Sequence, residues 1–155
     1  VASLARMLAR QVTHQDPETA MFAAVIHDIG GFYLLSRAAE FPGMLSEGLS
    51  EDDAEGELAL GRAVLGALMV PQAVMEAIEY FWLGYLALPP VSLGDTLLLA
   101  SDLAPVERPL LSCLQGYNRP EAVANIDMLI GKQTLQTILD ESREEVESLL
   151  TVLRF

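Results

Sequence analysis

Apolar residues recur at helical spacing along nearly the whole chain, and this pattern constrains the fold more than any other feature. In one stretch the apolar positions follow an i, i+3, i+4, i+7, i+8 pattern, at Leu60, Ala63, Val64, Ala67 and Leu68. That spacing places a single apolar face on an α-helix. No alternating apolar and polar run is long enough, with turn signals on both sides, to predict a β-strand. The sequence therefore predicts an all-α fold, a compact multi-helix bundle with crossing helices.

Short-range signals set the expected ends of the first apolar helix. Asp16 is a candidate N-cap and Pro17 suits the first helical position, so a helix is predicted from Pro17 to about Ile29. Gly30 and Gly31 are expected to stop it, because glycine readily takes the left-handed conformation of a C-terminal cap. His27 and Asp28 therefore lie near a predicted helix end, where neighbouring side chains can face one cavity.

Further boundaries follow from charge and capping patterns. Residues 46–57 are acidic and contain glycine, so a solvated loop or a poor helix is expected there. Ser92 with Asp95 resembles a capping box and predicts a helix that ends before Pro105. Three more helices are predicted, two short ones at 109–117 and 120–130 and a long one at 134–153.

Length and charge exclude several classes of protein. A chain of 155 residues is most simply one domain, and its net charge of −13 argues against nucleic acid or an anionic membrane as a partner. The unbroken apolar runs are shorter than the roughly 20 residues that span a bilayer. Cys113 is the single cysteine, which fits a cytoplasmic location and is expected to be a small buried hydrophobe. The helical pattern is already under way at Val1, so residues are expected to be missing upstream.

His27 and Asp28 can both ligate a metal or move a proton, so they are the first candidate site. A metal site needs three or four ligands, and Asp102 on an apolar helix is the best third candidate. The alternative is structural: His27 caps the last carbonyls of its helix, Asp28 accepts a nearby N–H, and Asp102 forms a cap or a salt bridge. The residues alone leave both interpretations open, and no GxSxG, P-loop or GxGxxG motif offers another chemistry.

The order of the segments is similar to that of a known family. AMFAAVIHDIGGFYLL is followed by LALGRAVLGALMVPQAVMEAIEYFW and then by LLLASDLA. This arrangement resembles the HDOD domain of bacterial signalling proteins, a relative of the HD and HD-GYP metal-dependent phosphohydrolases. The C-terminal stretch MLIGKQTLQTILDESREEVESLLTVL resembles that family's closing helix. The resemblance implies a single HDOD-like domain over residues 1–155, of HD type, whose N-terminal helical portion is absent from this chain.

The family's site positions are only partly kept. His27 and Asp28 match the HD pair, and Asp102 matches the aspartate of the closing Ala-Asp step, here Ser101-Asp102. Glu57 stands where the family has a histidine four residues before a glycine. Where the family often shows a His-His pair, this chain has Phe81 and Trp82. The resemblance thus implies vestigial positions at His27, Asp28, Asp102 and Glu57, with aromatic carbon of Phe81 and Trp82 filling the former metal cavity.

These departures imply a domain without catalysis, metal or cofactor. HDOD domains are generally regarded as modules that pass on signals through protein contacts, so the expected function is regulatory. The expected partner is a signalling protein or a fused receiver or cyclic-dinucleotide domain, and a homodimer is left open. The acidic residues 47–57 and the acidic last helix are the surfaces expected to meet a basic partner. Two alternatives remain: a degenerate metal-dependent phosphohydrolase for a nucleotide or cyclic dinucleotide, and a pocket that binds a small ligand without turnover.

Overall fold

Helices and the turns between them make up the part of the chain that the computed structural model describes. It describes residues 1–37, 39, 40, 51–105, 126 and 130–153, with the backbone alone at 51–57 and 153. The α-helices are α1 (Ala2–Leu8), α2 (Pro17–Ile26), α3 (Ile29–Arg37), α4 (Glu51–Ala67), α5 (Gln72–Leu83), α6 (Leu93–Leu103) and α7 (Lys132–Leu153), and a π-helical turn, Ala9–Thr13, continues α1. No strand occurs among these residues, so the all-α prediction is confirmed. Cys113 and nearly all of the predicted helices at 109–117 and 120–130 lie outside the described residues.

Two predicted caps are confirmed. The Asp16 carboxylate accepts a hydrogen bond from the Thr19 amide at 2.7 Å, and Pro17 is the first residue of α2. At the start of α6 the Ser92 hydroxyl accepts from the Asp95 amide at 3.0 Å, while the Asp95 carboxylate accepts from the Ser92 amide at 2.9 Å. These reciprocal bonds satisfy amides that the first turn of a helix leaves without intrahelical partners.

The prediction that Gly30 and Gly31 stop the helix is wrong. The helix α2 already ends at Ile26, a turn follows at His27 and Asp28, and α3 begins at Ile29. Both glycines lie in the first turn of α3 and are buried. The His27 side chain bonds the Ala24 carbonyl in the last turn of α2, and neither Gly30 nor Gly31 takes the left-handed conformation that was expected of a cap.

Of the two alternatives predicted for residues 46–57, a solvated loop or a poor helix, the loop is wrong from Glu51 onwards. The helix α4 runs from Glu51 to Ala67, and residues 46–50 lie outside the described part of the chain. Four of its first five residues are acidic. Negative charge at a helix N-terminus interacts favourably with the helix dipole, so an acidic run there is compatible with a helix.

The helix α6 lies at the centre of the bundle. It packs against α1, α2 and α5, and its residues from Gly94 to Ala100 are all buried, as is Asp102. A helix that is buried on every side is typical of the core of a protein. The core around it includes residues that have almost no exposed surface, among them Leu8, Leu65, Ile78, Leu97, Leu98, Leu99 and Ile138. The helices α1 and α7 also pack together, and α3 packs against α4.

Within the described part of the chain, one segment is apolar and long enough to cross a membrane by length and composition alone. It covers Pro17–Arg37 and has a mean hydropathy of 1.3. In the fold this segment is divided into α2 and α3 by the turn at His27 and Asp28. The helix α2 packs against α1, α5 and α6, and contacts of this kind are expected of a core helix in a bundle.

A buried pair of threonines joins the π-helical turn to α6 and gives a first testable prediction. The hydroxyls of Thr13 and Thr96 lie 2.6 Å apart, and the Thr96 hydroxyl donates to the Ser92 carbonyl at 2.9 Å, so Thr13 donates to Thr96. Thr96→Val should lower the free energy of unfolding by about 1–2 kcal/mol, because it leaves the buried Thr13 hydroxyl without its acceptor.

The matched variant is Thr13→Val, which removes the donor hydroxyl. The Thr96 hydroxyl then loses one partner but still donates to the Ser92 carbonyl. The cost of Thr13→Val should be smaller, about 0.5–1 kcal/mol. The double variant should cost less than the sum of the two single changes in urea unfolding. Additive costs would show that the two hydroxyls do not depend on each other.

Candidate functional site

The HD pair lies in the turn between α2 and α3. His27 is 7% exposed, and its Nδ1 donates a hydrogen bond to the Ala24 carbonyl at 2.7 Å. Because a carbonyl oxygen can only accept, Nδ1 must carry a proton, and the tautomer of the neutral ring is thereby assigned. The expectation that His27 caps the end of its helix is confirmed for this nitrogen.

The other ring nitrogen of His27 faces the carboxylate of its neighbour. Nε2 lies 3.1 Å from Oδ2 of Asp28, but the contact does not have the alignment of a hydrogen bond. In the neutral ring Nε2 holds a lone pair, so two electron-rich atoms face each other. The arrangement is attractive when the ring carries a second proton or when a cation lies between the two atoms.

A phenyl ring closes one side of the histidine. The ring of Phe81 meets that of His27 edge-on, with centroids 5.1 Å apart and planes at 77°. Phe81 is 3% exposed and belongs to the hydrophobic core. Its helix α5 packs against α2. A phenyl ring supplies apolar surface and no lone pair at a place where an imidazole would offer a ligand atom.

Trp82 makes its contacts with α4. A Cβ at Gly61 would lie 3.0 Å from Cη2 of Trp82, so the ring fits closely over this glycine. The Arg62 guanidinium lies 5.8 Å from the centre of the ring, and Arg62 Nε donates to Glu79 Oε1 at 2.6 Å. Trp82 therefore joins α5 to α4. That it fills the same cavity as Phe81 stays a prediction.

The remaining sequence candidates lie on α6 and α4. Asp102 is 9% exposed on α6, which packs against α2, the helix that leads to His27. Glu57 lies on α4, and its side chain is outside the described part of the chain. Among the residues whose side chains are described, no three His, Cys, Asp or Glu gather in a way that could hold a metal ion. The vestigial roles of Asp102 and Glu57 stay predictions.

A buried carboxylate that the sequence marks only as a cap has a larger structural role. Asp95 is 0% exposed, and beyond its bonds to Ser92 it accepts from the amides of Ala87 at 2.9 Å and Val91 at 3.1 Å. It thus holds the segment between α5 and α6 against the start of α6. Only the capping box with Ser92 is visible in the sequence, because the bond to Ala87 spans eight residues of irregular backbone.

Comparison with known proteins gives one match. A family profile described as the HDOD domain matches residues 1–80. No curated protein and no solved structure matches the chain. The matched region holds His27, Asp28 and Glu57, whereas Phe81, Trp82 and Asp102 follow it. Helices α6 and α7, from beyond the match, pack against α1 within it. Since the match covers more than half of the sequence, the chain belongs to the HDOD domain family.

Proposed function

We propose that this chain is a non-catalytic regulatory domain that acts through protein contacts in cytoplasmic signal transduction of bacteria. The observation that carries the proposal is the surroundings of His27. One ring nitrogen is used to cap α2, and the buried ring of Phe81 lies against the imidazole. His27 and Asp28 together supply two ligand side chains, whereas a hydrolytic metal centre needs three or four with an open position for water.

The proposed partner is a signalling protein, or a receiver or cyclic-dinucleotide domain of the same polypeptide. Two features support a protein partner over a nucleic acid. The net charge of −13 repels a phosphate backbone, and several large apolar side chains are exposed, including Phe32, Leu68, Leu83 and Leu149. The domain works in this proposal without a metal or organic cofactor.

A second candidate function is a degenerate metal-dependent phosphohydrolase for a nucleotide or cyclic dinucleotide. The observation that favours it is the His27 Nε2 atom, which is buried and 3.1 Å from Asp28 Oδ2 while Nδ1–H is held by a carbonyl. Metal-ligating histidines usually donate their second N–H to a carbonyl or carboxylate in this way. A metal-ligating histidine and a helix-capping histidine would both make this hydrogen bond. An activity assay must therefore distinguish the two candidate functions.

The decisive experiment is a hydrolysis assay with added Mg²⁺, Mn²⁺ or Zn²⁺ and with mononucleotides and cyclic dinucleotides as substrates. We expect turnover no higher than in buffer for the wild-type chain and for His27→Ala. His14→Ala is the matched control, because His14 is the other histidine and is exposed. Turnover that disappears in His27→Ala and persists in His14→Ala would establish the enzyme and end the regulatory proposal.

A gain-of-ligand variant tests the role given to the phenyl ring. In Phe81→His a second imidazole would stand beside His27 and Asp28, which would raise the number of candidate ligands to three. We expect Zn²⁺ to raise the melting temperature of this variant but not that of the wild type, since a ligand of the native state raises apparent stability. The gain should vanish in Phe81→His combined with His27→Ala. Equal stabilisation of the wild type would show that Phe81 does not block the site.

A further inference from the structure

An apolar groove lies between the N-terminal part of α1, the C-terminal end of α6 and the second half of α7. It has a volume of about 860 Å³. Its walls are mainly apolar and include Leu4, Met21, Leu103, Leu139, Val146 and Leu149. None of these residues belongs to the surroundings of His27 described above. The groove is therefore a second candidate site, with a different chemistry.

The apolar face of α7 continues past the part of the helix that is packed. Ile138 is 0% and Ser142 7% exposed, and α7 packs against α1. Beyond them, Val146 is 43%, Leu149 51% and Leu150 49% exposed. These positions keep the i, i+3, i+4 spacing of a helix-packing face. The C-terminal part of the apolar face of α7 is thus exposed to solvent along the groove. Exposed apolar helix faces of this kind are typical of docking sites for other helices.

Two polar side chains that line the groove, Ser3 and Glu145, are already engaged in hydrogen bonds. Ser3 Oγ donates to Glu145 Oε2 at 2.5 Å, and Arg6 Nη1 donates to Glu145 Oε1 at 2.6 Å. A small-molecule site needs a few polar groups that converge on the ligand and fix its orientation. With these groups already bonded, the groove offers chiefly apolar contact, which suits the side chains of a docking helix better than a polar metabolite.

The charge of α7 discriminates between a second copy of this chain and a different partner. Residues 140–153 carry five carboxylates, at Asp140, Glu141, Glu144, Glu145 and Glu147, against one guanidinium, Arg143. Arg143 lies 3.9 Å from Asp140, so its charge is partly offset. A second copy would bring the same acidic face to the groove, and juxtaposed like charges are unfavourable. A basic partner would be complementary.

We propose that this groove docks a basic amphipathic helix of a partner protein. The apolar side of that helix would enter between Leu4, Val146 and Leu149. Its lysines and arginines would lie along the edge that carries Glu147, which lines the groove and is exposed. This inference rests on the proposed function as a protein-contact domain and gives the partner's chemistry and the surface it meets.

The test uses a synthetic helical peptide with leucines at i, i+3, i+4 and i+7 and lysines elsewhere, followed by fluorescence anisotropy. We expect saturable binding that weakens with salt, since rim charges act through screened attraction. Leu149→Asp should weaken it at least tenfold, the effect of losing a central apolar contact of about 1.4 kcal/mol. The matched control is Phe32→Asp, which places the same charge on another exposed apolar residue, 57% exposed on α3, and should bind as the wild type does.

Charge reversal tests the other half of the inference. Glu147→Lys should weaken binding of the lysine peptide and strengthen binding of a version with glutamates in place of lysines. Equal binding by Leu149→Asp and wild type would overturn the inference, because it would reveal adhesion to the acidic surface alone. Self-association of the chain that Leu149→Asp abolishes would overturn it in favour of a second copy.

The outcome is separable from that of the proposed function. If the chain neither binds the peptide nor hydrolyses nucleotides, the docking proposal for the groove is wrong and the regulatory proposal still stands. A fluorescent fatty acid could instead bind the wild type and not Leu149→Asp, while the peptide binds neither. That result would assign the groove to a small apolar ligand and contradict the docking of a partner helix.

Discussion

Replacement of Asp95 by alanine is expected to lower the free energy of unfolding by about 3–4 kcal/mol, because it removes a buried carboxylate that accepts four part-buried hydrogen bonds at once. That carboxylate accepts from the amides of Ala87, Val91 and Ser92 and from the Ser92 hydroxyl, at 2.7 to 3.1 Å. For a chain of this length, the melting temperature should fall by about 8–15 °C. Thermal and urea unfolding followed by circular dichroism measure both quantities.

Two variants calibrate the result. Asp95→Asn should cost less than Asp95→Ala, because its amide oxygen can take the place of Oδ2, which accepts three of the four hydrogen bonds. The matched control is Asp140→Ala on α7, where the aspartate is half exposed and bonded only within its helix and to Arg143. Such a surface change should alter stability by no more than about 0.5 kcal/mol. If Asp95→Ala cost no more than Asp140→Ala, the structural role assigned to Asp95 would be wrong.

The same carboxylate gives a pH dependence with a definite sign. Burial tends to raise the pKa of Asp95, but the hydrogen bonds from Ser92, Ala87 and Val91 outweigh it, so the pKa lies below its ordinary value. A carboxyl group whose pKa is lower in the folded chain stabilises the fold above its unfolded pKa of about 3.9. That contribution is lost as the pH falls through the folded value. The stability difference between wild type and Asp95→Ala should therefore be constant at neutral pH and shrink below about pH 4.

Gly94→Ala is the second substitution with a large expected effect. An ideal Cβ at Gly94 would overlap Cδ1 of the Tyr80 ring and would lie 2.9 Å from its Cγ. The ring belongs to α5, which packs against α6 at this point, so neither partner can yield without disturbing the helix pair. Overpacking of this kind costs about 1–3 kcal/mol, and a value near the upper end is expected here. Urea unfolding measures it.

Gly66→Ala is the matched control for this prediction. Gly66 lies in α4, and nothing stands within 4 Å of the Cβ that alanine would add. Alanine is the better helix former, so stability should rise by about 0.5 kcal/mol. Tyr80→Ala removes the obstructing ring, and in that background Gly94→Ala should cost less than in the wild type. Equal costs in the two backgrounds would show that the ring of Tyr80 is not the obstacle.

The candidate site could be predicted only in part. His27 and Asp28 were found from the sequence because they are adjacent, and their position near a helix end is correct. The contact of Phe81 with His27 joins positions 54 residues apart, and the resemblance to a family suggested it where periodicity could not. No local sequence pattern predicts that Trp82 lies over Gly61, because this contact depends on how closely α4 and α5 pack in the folded chain.

The sequence alone determined the all-α class and the capped starts of α2 and α6. These depend on side chains three or four positions apart, and such pairs interact in any fold. Tertiary structure decided what depends on neighbours further along the chain: the contact of Phe81 with His27, the approach of Trp82 to Gly61, and the reach of the Asp95 carboxylate to Ala87. Those outcomes are settled when helices bury their faces against one another, because packing and the hydrogen bonding of buried groups outweigh local propensity.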